Sequence, residues 1–310
     1  MHLSIPGNIL LLGEYAVLEE GGCGVAMAVQ RRVHVTARPA ASLVIRGSWP
    51  GGSFTWTRQA PAASRLVTAA VTAVEETFHA PLPGSEIDID SAELFDLSGR
   101  KLGLGSSAAC AAGLVAALVA SRGERPGAED DALVALRAHR DAQDGRGSGY
   151  DVLCSWHGGV GLFRGGRTPQ WTPRALPQGL AVSFIAGGPP VSTAEAVQRY
   201  AAWKLANPAA ARQFLEQSNR DVRSFVESRF PAEAAAAWAR CRALGLWLGD
   251  AIGVPARVTS PAAVNLALCK AVGAGNELGA CLHPISDGPV QGLLHFPVSA
   301  GGLAWEETGS

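Results

Sequence analysis

The stretch that most constrains this chain is Lys101-Leu102-Gly103-Leu104-Gly105-Ser106-Ser107-Ala108-Ala109, which runs unbroken into an alanine-rich apolar segment ending near Ser121. The pattern predicts a tight glycine turn followed by a long apolar helix over 106–121. Glycines at 103 and 105 let the backbone turn sharply and approach a ligand without a Cβ in the way. Ser106 and Ser107 then stand at a helix N-terminus, where free N–H groups and the helix dipole favour an anion. Two readings fit these residues: a phosphate cradle, or a plain serine-capped buried helix after a glycine turn. The Walker pattern is absent, because no Gly-Lys-Ser/Thr follows and the lysine precedes the loop. That lysine is informative, since only Lys101, Lys204 and Lys270 occur among 26 basic residues.

Composition removes several classes of function. Twenty-six basic side chains face 27 acidic ones over 310 residues, a formal charge of −1. A general nucleic-acid binder or a polybasic membrane-surface protein needs a concentrated positive field, so neither is expected. Hydrophobic residues reach 47%, enough for one large core or two ordinary ones. The apolar run Ala108–Ala120 is shorter than the ~20 residues that span a bilayer. The first residues lack a basic region and a cleavage site, so no signal peptide is expected. Six dispersed cysteines without a C-x-x-C pair predict reduced, mostly buried thiols in a cytoplasmic protein, and no zinc site.

Along the chain, 9–12 and 33–38 read as strands, 41–57 as a hairpin, and 64–76 as a helix with Leu66, Val67, Ala70, Val71 and Val74 at helical spacing. A short strand at 87–89, the helix 106–121, an amphipathic helix at 130–142 and a strand at 158–163 follow. A Pro-rich crossing at 168–177 separates this half from a strand at 180–185 and helices near 194–206, 209–228 and 232–251. A small-residue helix over 262–278 and a strand at 292–296 complete an α+β chain of two halves joined near residue 170.

Two further segments carry polar chemistry. From Ala138 to Val152 a helix ends in a Gly/Ser loop, and Asp151 stands where apolar sequence resumes. A carboxylate entering such sequence is costly unless paired or functional; it is either a helix cap or a group aimed at a bound acceptor. His139 by itself reads as a surface or packing histidine. Near the start, the strand Ile9–Leu12 ends in Gly13-Glu14-Tyr15-Ala16-Val17, one acid and one aromatic in the manner of a pocket rim.

Taken in order, these segments resemble the GHMP kinase superfamily over most of the chain, and within it they are most similar to the phosphomevalonate kinases. Gly13–Val17 matches the motif ending G-E-Y-A-V, where mevalonate kinases usually have histidine at the position of Tyr15. Lys101–Ser107 matches K-x-G-L-G-S-S, and Ala138–Val152 matches A-H-x-x-A-Q-x(3)-G-S-G-x-D-V. Gly187–Thr193 is similar to a segment ending Pro-Ala-Ser-Thr. Two positions depart from the pattern. Asn8 stands where the family has lysine after Pro-Gly, so a phosphate-directed charge is absent, with Arg31 or Arg140 as candidate replacements. The third, glycine-rich motif is eroded: Gly273-Ala274-Gly275-Asn276 looks like it, whereas continuing the alignment points to Pro284–Pro289.

The resemblance implies a two-domain α+β architecture, residues 1–170 and 171–310, with the active-site cleft between the domains. It implies ATP- and Mg²⁺-dependent phosphorylation of (R)-5-phosphomevalonate to the 5-diphosphate, a step of the mevalonate pathway of isoprenoid synthesis. Gly103, Leu104, Gly105, Ser106, Ser107 and Ala108 would wrap the nucleotide phosphates, Ser107 would contact Mg²⁺, and Lys101 and Asp151 would be catalytic. Glu14, Tyr15, His139, Gln143, Ser148, Gly149, Ser192 and Thr193 are the substrate-side candidates. The expected partner is a phosphorylated small molecule, with no nucleic acid or membrane, acting on a monomer or homodimer. Two rivals stand beside this: a mevalonate kinase-like enzyme phosphorylating an alcohol, and a non-catalytic ligand-binding paralogue.

Overall fold

The computed structural model describes residues 1–127, 129–188, 191–259 and 265–306. In chain order the elements are β1 (His2–Leu12), β2 (Cys23–Pro39), β3 (Val44–Trp49), β4 (Gly52–Thr57), α1 (Arg65–Phe78), β5 (Ser85–Asp90), α2 (Ser106–Ser121), α3 (Glu129–Ala142) and α4 (Tyr150–His157). There follow β6 (Val160–Arg164), β7 (Gln170–Arg174), β8 (Leu180–Ala186), α5 (Thr193–Ala206), α6 (Pro208–Val226), α7 (Pro231–Ile252), β9 (Cys269–Val272), β10 (Leu278–Pro284) and β11 (Ala304–Glu306). The architecture is mixed α+β. By packing, residues 1–8, 28–159 and the described residues from Val298 onward form one compact unit, and 9–27 with 160–297 form a second. These packing units are discontinuous in sequence, unlike the single family boundary expected near residue 170.

In the first unit the strand order is β11-β1-β2-β5-β3-β4, with β3 parallel to β5 and β2 antiparallel to it. Period-2 burial explains the strands: Ser85, Ile87 and Ile89 point inward while Asp88 and Asp90 do not. Helix α1 starts at Ser64, whose side chain accepts from the Val67 amide at 3.3 Å, and buries Val67, Ala70, Val71 and Val74. Helix α2 is apolar all round because it is enclosed by α1, α3, α4 and β5. It approaches the sheet so closely at Gly113 that a Cβ there would lie 2.9 Å from Val35.

In the second unit, Cys23–Met27 of β2 pairs with β6, which pairs with β7. The order β8-β10-β9 makes a separate sheet. Helices α5, α6 and α7 pack together over a core that includes Tyr200, Phe214, Leu244, Leu248 and Ile252. Trp238 is fully buried and donates its indole N–H to the Leu268 carbonyl at 2.8 Å.

Several expectations need correction. No helix spans 262–278: Ser260–Val264 lie outside the described residues, and the rest is a short 3-10 turn followed by β9, a Gly273–Asn276 turn and the start of β10. Short apolar runs of Ala, Val, Leu and Gly carry no reliable period, and cross-strand pairing decides their state. The strand expected at 292–296 is reduced to one bridge, Leu294 with Phe184. The Pro-rich crossing contains β7, whose Pro173 is tolerated because β7 is an edge strand that, among the described residues, pairs only with β6.

The thiols are not all reduced. Register places Cys269 directly opposite Cys281 on β9 and β10, Cα atoms 4.1 Å apart, and a disulfide joins them. Cys23, Cys110, Cys154 and Cys241 are free. Burial pushes the Cys110 and Cys241 thiols up to about 12 and Cys154 well above its usual value, so these three stay protonated and unreactive. Among the described residues, no helix is long and apolar enough to cross a membrane.

Candidate phosphate cradle and active-site residues

The first unit brings the glycine turn, α3 and the loop before α4 together. Gly103 and Gly105 have φ of 73° and 64°, the left-handed region that glycine enters without a Cβ penalty. Gly105 is the N-cap of α2 and gives it no side-chain cap. The serine-capped reading of this helix therefore fails: Ser106 and Ser107 lie inside the first turn, and its amides are left without a side-chain acceptor. An uncapped helix start lined by glycine is suited to phosphate oxygens.

Asn8 lies directly beneath the turn. Its amide N–H donates to the Leu104 carbonyl at 3.0 Å, and its side-chain nitrogen donates to Ser155 Oγ at 3.0 Å. A Cβ on Gly105 would sit 2.2 Å from that side-chain nitrogen. The neutral, buried Asn8 thus supports the turn from below, and its Oδ1 has no hydrogen-bond partner among the described residues. We expect Gly105→Ala to destabilise the protein by about 1–3 kcal/mol through this overlap and the positive φ. Urea denaturation checks this, and a change below 0.5 kcal/mol, roughly the level of a neutral surface substitution, would contradict it.

Around the start of α2 the expected residues gather. His139, 4% exposed on α3, has Nε2 3.2 Å from Ser107 Oγ and 2.9 Å from the Gln143 amide nitrogen. Its Nδ1 faces Asp151 Oδ2 at 3.8 Å, too long for a hydrogen bond in this unliganded arrangement. Asp151 is in the first turn of α4, where its Oδ1 accepts from the Val152 amide at 3.0 Å. Lys101 is exposed ahead of the turn and pairs with Phe95 by a backbone bridge.

Two substrate-side candidates are engaged in the backbone framework. Arg140 donates to the Gly147 and Ser148 carbonyls at 3.2 and 2.6 Å, so it holds the loop. Burial holds the Arg140 guanidinium below its usual range, against the opposing pull of Asp151. Ser148 is buried, and Gly149 caps α4 at φ 88° with Leu136 occupying the space of its absent Cβ.

The remaining candidates belong to the second unit. Glu14 is largely buried, its side chain 15% exposed, and is ion-paired with the buried Lys270. The Lys270 ammonium also donates to the Leu11 carbonyl at 2.9 Å and the Ala271 carbonyl at 2.7 Å, and lies 5.7 Å from the Trp238 ring. Burial raises the Glu14 carboxyl despite the lysine beside it. Tyr15 adopts φ 64°, stacks on Tyr200 at 5.3 Å, and donates its hydroxyl to the Ala274 carbonyl at 2.5 Å. The Gly273–Asn276 turn is thereby tied to Gly13-Glu14-Tyr15. Ser192 caps α5 by accepting from the Glu195 amide at 3.4 Å, and Thr193 opens that helix exposed. Pro189 and Pro190 of the same segment lie outside the described residues. Lys270 escaped the sequence reading; the signal was a lysine, rare in this chain, three positions before a glycine-rich run.

The Ser107 hydroxyl and the Asp151 carboxylate, on either side of the His139 imidazole, are oxygen donors that fit a hard cation keeping several waters and sharing phosphate oxygens, as Mg²⁺ does.

Comparison with known proteins agrees with these segments. Residues 65–159 match the family described as GHMP kinases N terminal domain. A phosphomevalonate kinase of Streptomyces sp. (strain CL190) is 27% identical over 267 residues, covering 71% of this chain and 70% of that protein. A phosphomevalonate kinase of Saccharolobus solfataricus is 31% identical over 162 residues, 51% of this chain and 47% of that protein. The fold is that of Streptococcus pneumoniae phosphomevalonate kinase solved with phosphomevalonate and AMPPNP, with a TM-score of 0.72, 16% identity, and coverage of 96% of this chain and 100% of that one. Residues 65–159 thus match a GHMP kinases N terminal domain, and the chain as a whole is similar to phosphomevalonate kinases in sequence and shares their fold.

Proposed function

We propose that the protein transfers the γ-phosphoryl group of ATP to the phosphate of (R)-5-phosphomevalonate, giving the 5-diphosphate and ADP. The observation that carries this reading is the uncapped, glycine-lined start of α2, with Ser107 and the exposed Lys101 beside it and Asp151 one imidazole away. The identity of the two phosphomevalonate kinase relatives supports the choice of acceptor. In this reading the boundary near residue 170 divides the two family domains.

The chain's own groups divide the work. First-turn amides of α2 hold the nucleotide phosphates in place. Lys101 compensates charge that builds on the transferred group. Ser107 and Asp151 offer the oxygens that would hold Mg²⁺, which supplies charge neutralisation on the phosphates when bound. A phosphate acceptor is already anionic at neutral pH, so it needs no base to remove a proton. Asp151 accordingly orients, and most of the rate enhancement is positioning and charge compensation.

An ADP-release assay with Mg-ATP and a panel of phosphomevalonate, mevalonate, homoserine and galactose tests the reading. Release above background with phosphomevalonate alone is expected; preference for mevalonate would favour the alcohol-kinase rival, and silence throughout the binding paralogue. The kcat–pH profile of Asp151→Asn adds a second check. With saturating phosphomevalonate the variant is expected to be impaired without losing an ionisation seen in wild type. If Asp151 were a general base toward an alcohol, that ionisation would vanish and kcat would fall roughly 10²–10⁴-fold.

A further inference from the structure

His139 and Gln143 entered as candidates for contact with the acceptor. We propose instead that they are positioning residues, which keep the Ser107 hydroxyl free to turn toward a nucleotide phosphate and its cation. The proposal rests on the kinase reading above and deepens it.

One buried nitrogen sits at the centre of this network. His139 Nε2 has two neighbours at hydrogen-bond distance, the Gln143 amide nitrogen at 2.9 Å and Ser107 Oγ at 3.2 Å. An amide nitrogen can only donate, so Nε2 accepts, and the neutral ring carries its proton on Nδ1, the atom facing Asp151. An accepting ring nitrogen has a single lone pair. Two donors therefore compete for it, and the shorter contact belongs to Gln143.

The competition has a consequence for Ser107. A buried polar atom stripped of its only partner is penalised by the lost hydrogen bond. With Gln143 in place, the Ser107 hydroxyl can rotate away from His139 while Nε2 stays satisfied. Without Gln143, each departure of Ser107 would orphan a nitrogen on a residue only 4% exposed. Gln143 lies just past the end of α3, is itself exposed, and so is not required for packing. Its place in the network fits holding the imidazole on behalf of Ser107.

Two measurements test this. Calorimetric titration with Mg-AMPPNP is expected to show Gln143→Leu binding on the order of tenfold more weakly than wild type, with the phosphomevalonate KM within twofold and an unchanged melting temperature. In a Ser107→Ala background the same substitution is expected to change nucleotide affinity less than twofold, because the effect passes through that hydroxyl. An unchanged nucleotide affinity in Gln143→Leu with a raised acceptor KM would overturn the proposal and restore direct substrate contact. Independently of any ligand, ¹⁵N NMR of the nucleotide-free protein at pH 8 is expected to show the His139 ring protonated on Nδ1. A ring protonated on Nε2 overturns the proposal while leaving the kinase reading intact. Wild-type protein that binds no Mg-AMPPNP, with the Nδ1–H tautomer present, would overturn the kinase reading and the purpose assigned to Ser107 with it.

Discussion

Lys270→Met is expected to lower folding stability by about 3–5 kcal/mol, the cost of leaving a buried carboxylate without its partner. The ammonium it removes serves Glu14 and the carbonyls of Leu11 and Ala271, so one deletion unties the end of β1 from β9. That is a large share of the ~5–15 kcal/mol by which a domain is stable. Replacing both members, Glu14→Gln with Lys270→Met, is expected to recover most of the loss, because no uncompensated charge remains. The effect also has a sign in pH. Burial already raises Glu14 above its unfolded value of 4.5, and loss of Lys270 removes two influences that lower it. A raised carboxyl contributes stability that is present below the unfolded pKa and is lost as pH rises through the folded one. The gap between Lys270→Met and wild type should therefore be widest near pH 7 and narrow as pH falls toward 5. Urea denaturation at both values measures it; a gap that widens on acidification would contradict the buried-pair account.

Lys101→Met is expected to reduce kcat on the order of 10²-fold while weakening ATP binding much less. The interaction grows as charge develops on the transferred group, so it contributes more to the transition state than to the ground state. Steady-state kinetics alongside equilibrium nucleotide binding separate the two effects. A variant with near-normal kcat would reduce Lys101 to a surface residue flanking the turn.

Local patterns were legible wherever one stretch of chain decides its own structure. Helix α2 occupies Ser106–Ser121 as the apolar run predicts, and α5, α6 and α7 lie within a few residues of expectation. The 262–278 segment was misread because β9 and β10 are set by pairing with each other and with β8, a long-range choice. The same limit governs the site. The segments carrying Ser107, His139 and Asp151 stood out individually, yet nothing in their spacing says that one imidazole lies beside the other two. Lys270 and Glu14 are 256 positions apart, and only the folded chain reveals that the acid beside Gly13 has an internal counter-ion. Asn8 read as a missing charge, and in the structure it is also the floor on which Gly105 rests.

The central claim is that the acceptor is itself a phosphate. ³¹P NMR of a reaction containing the protein, Mg-ATP and (R)-5-phosphomevalonate tests it most directly, since a new phosphoanhydride is distinguishable from a phosphate ester. The account predicts loss of the phosphomevalonate monoester signal and growth of a coupled diphosphate pair in step with ADP. An unchanged monoester signal, together with a new phosphate ester when mevalonate is supplied instead, would contradict it.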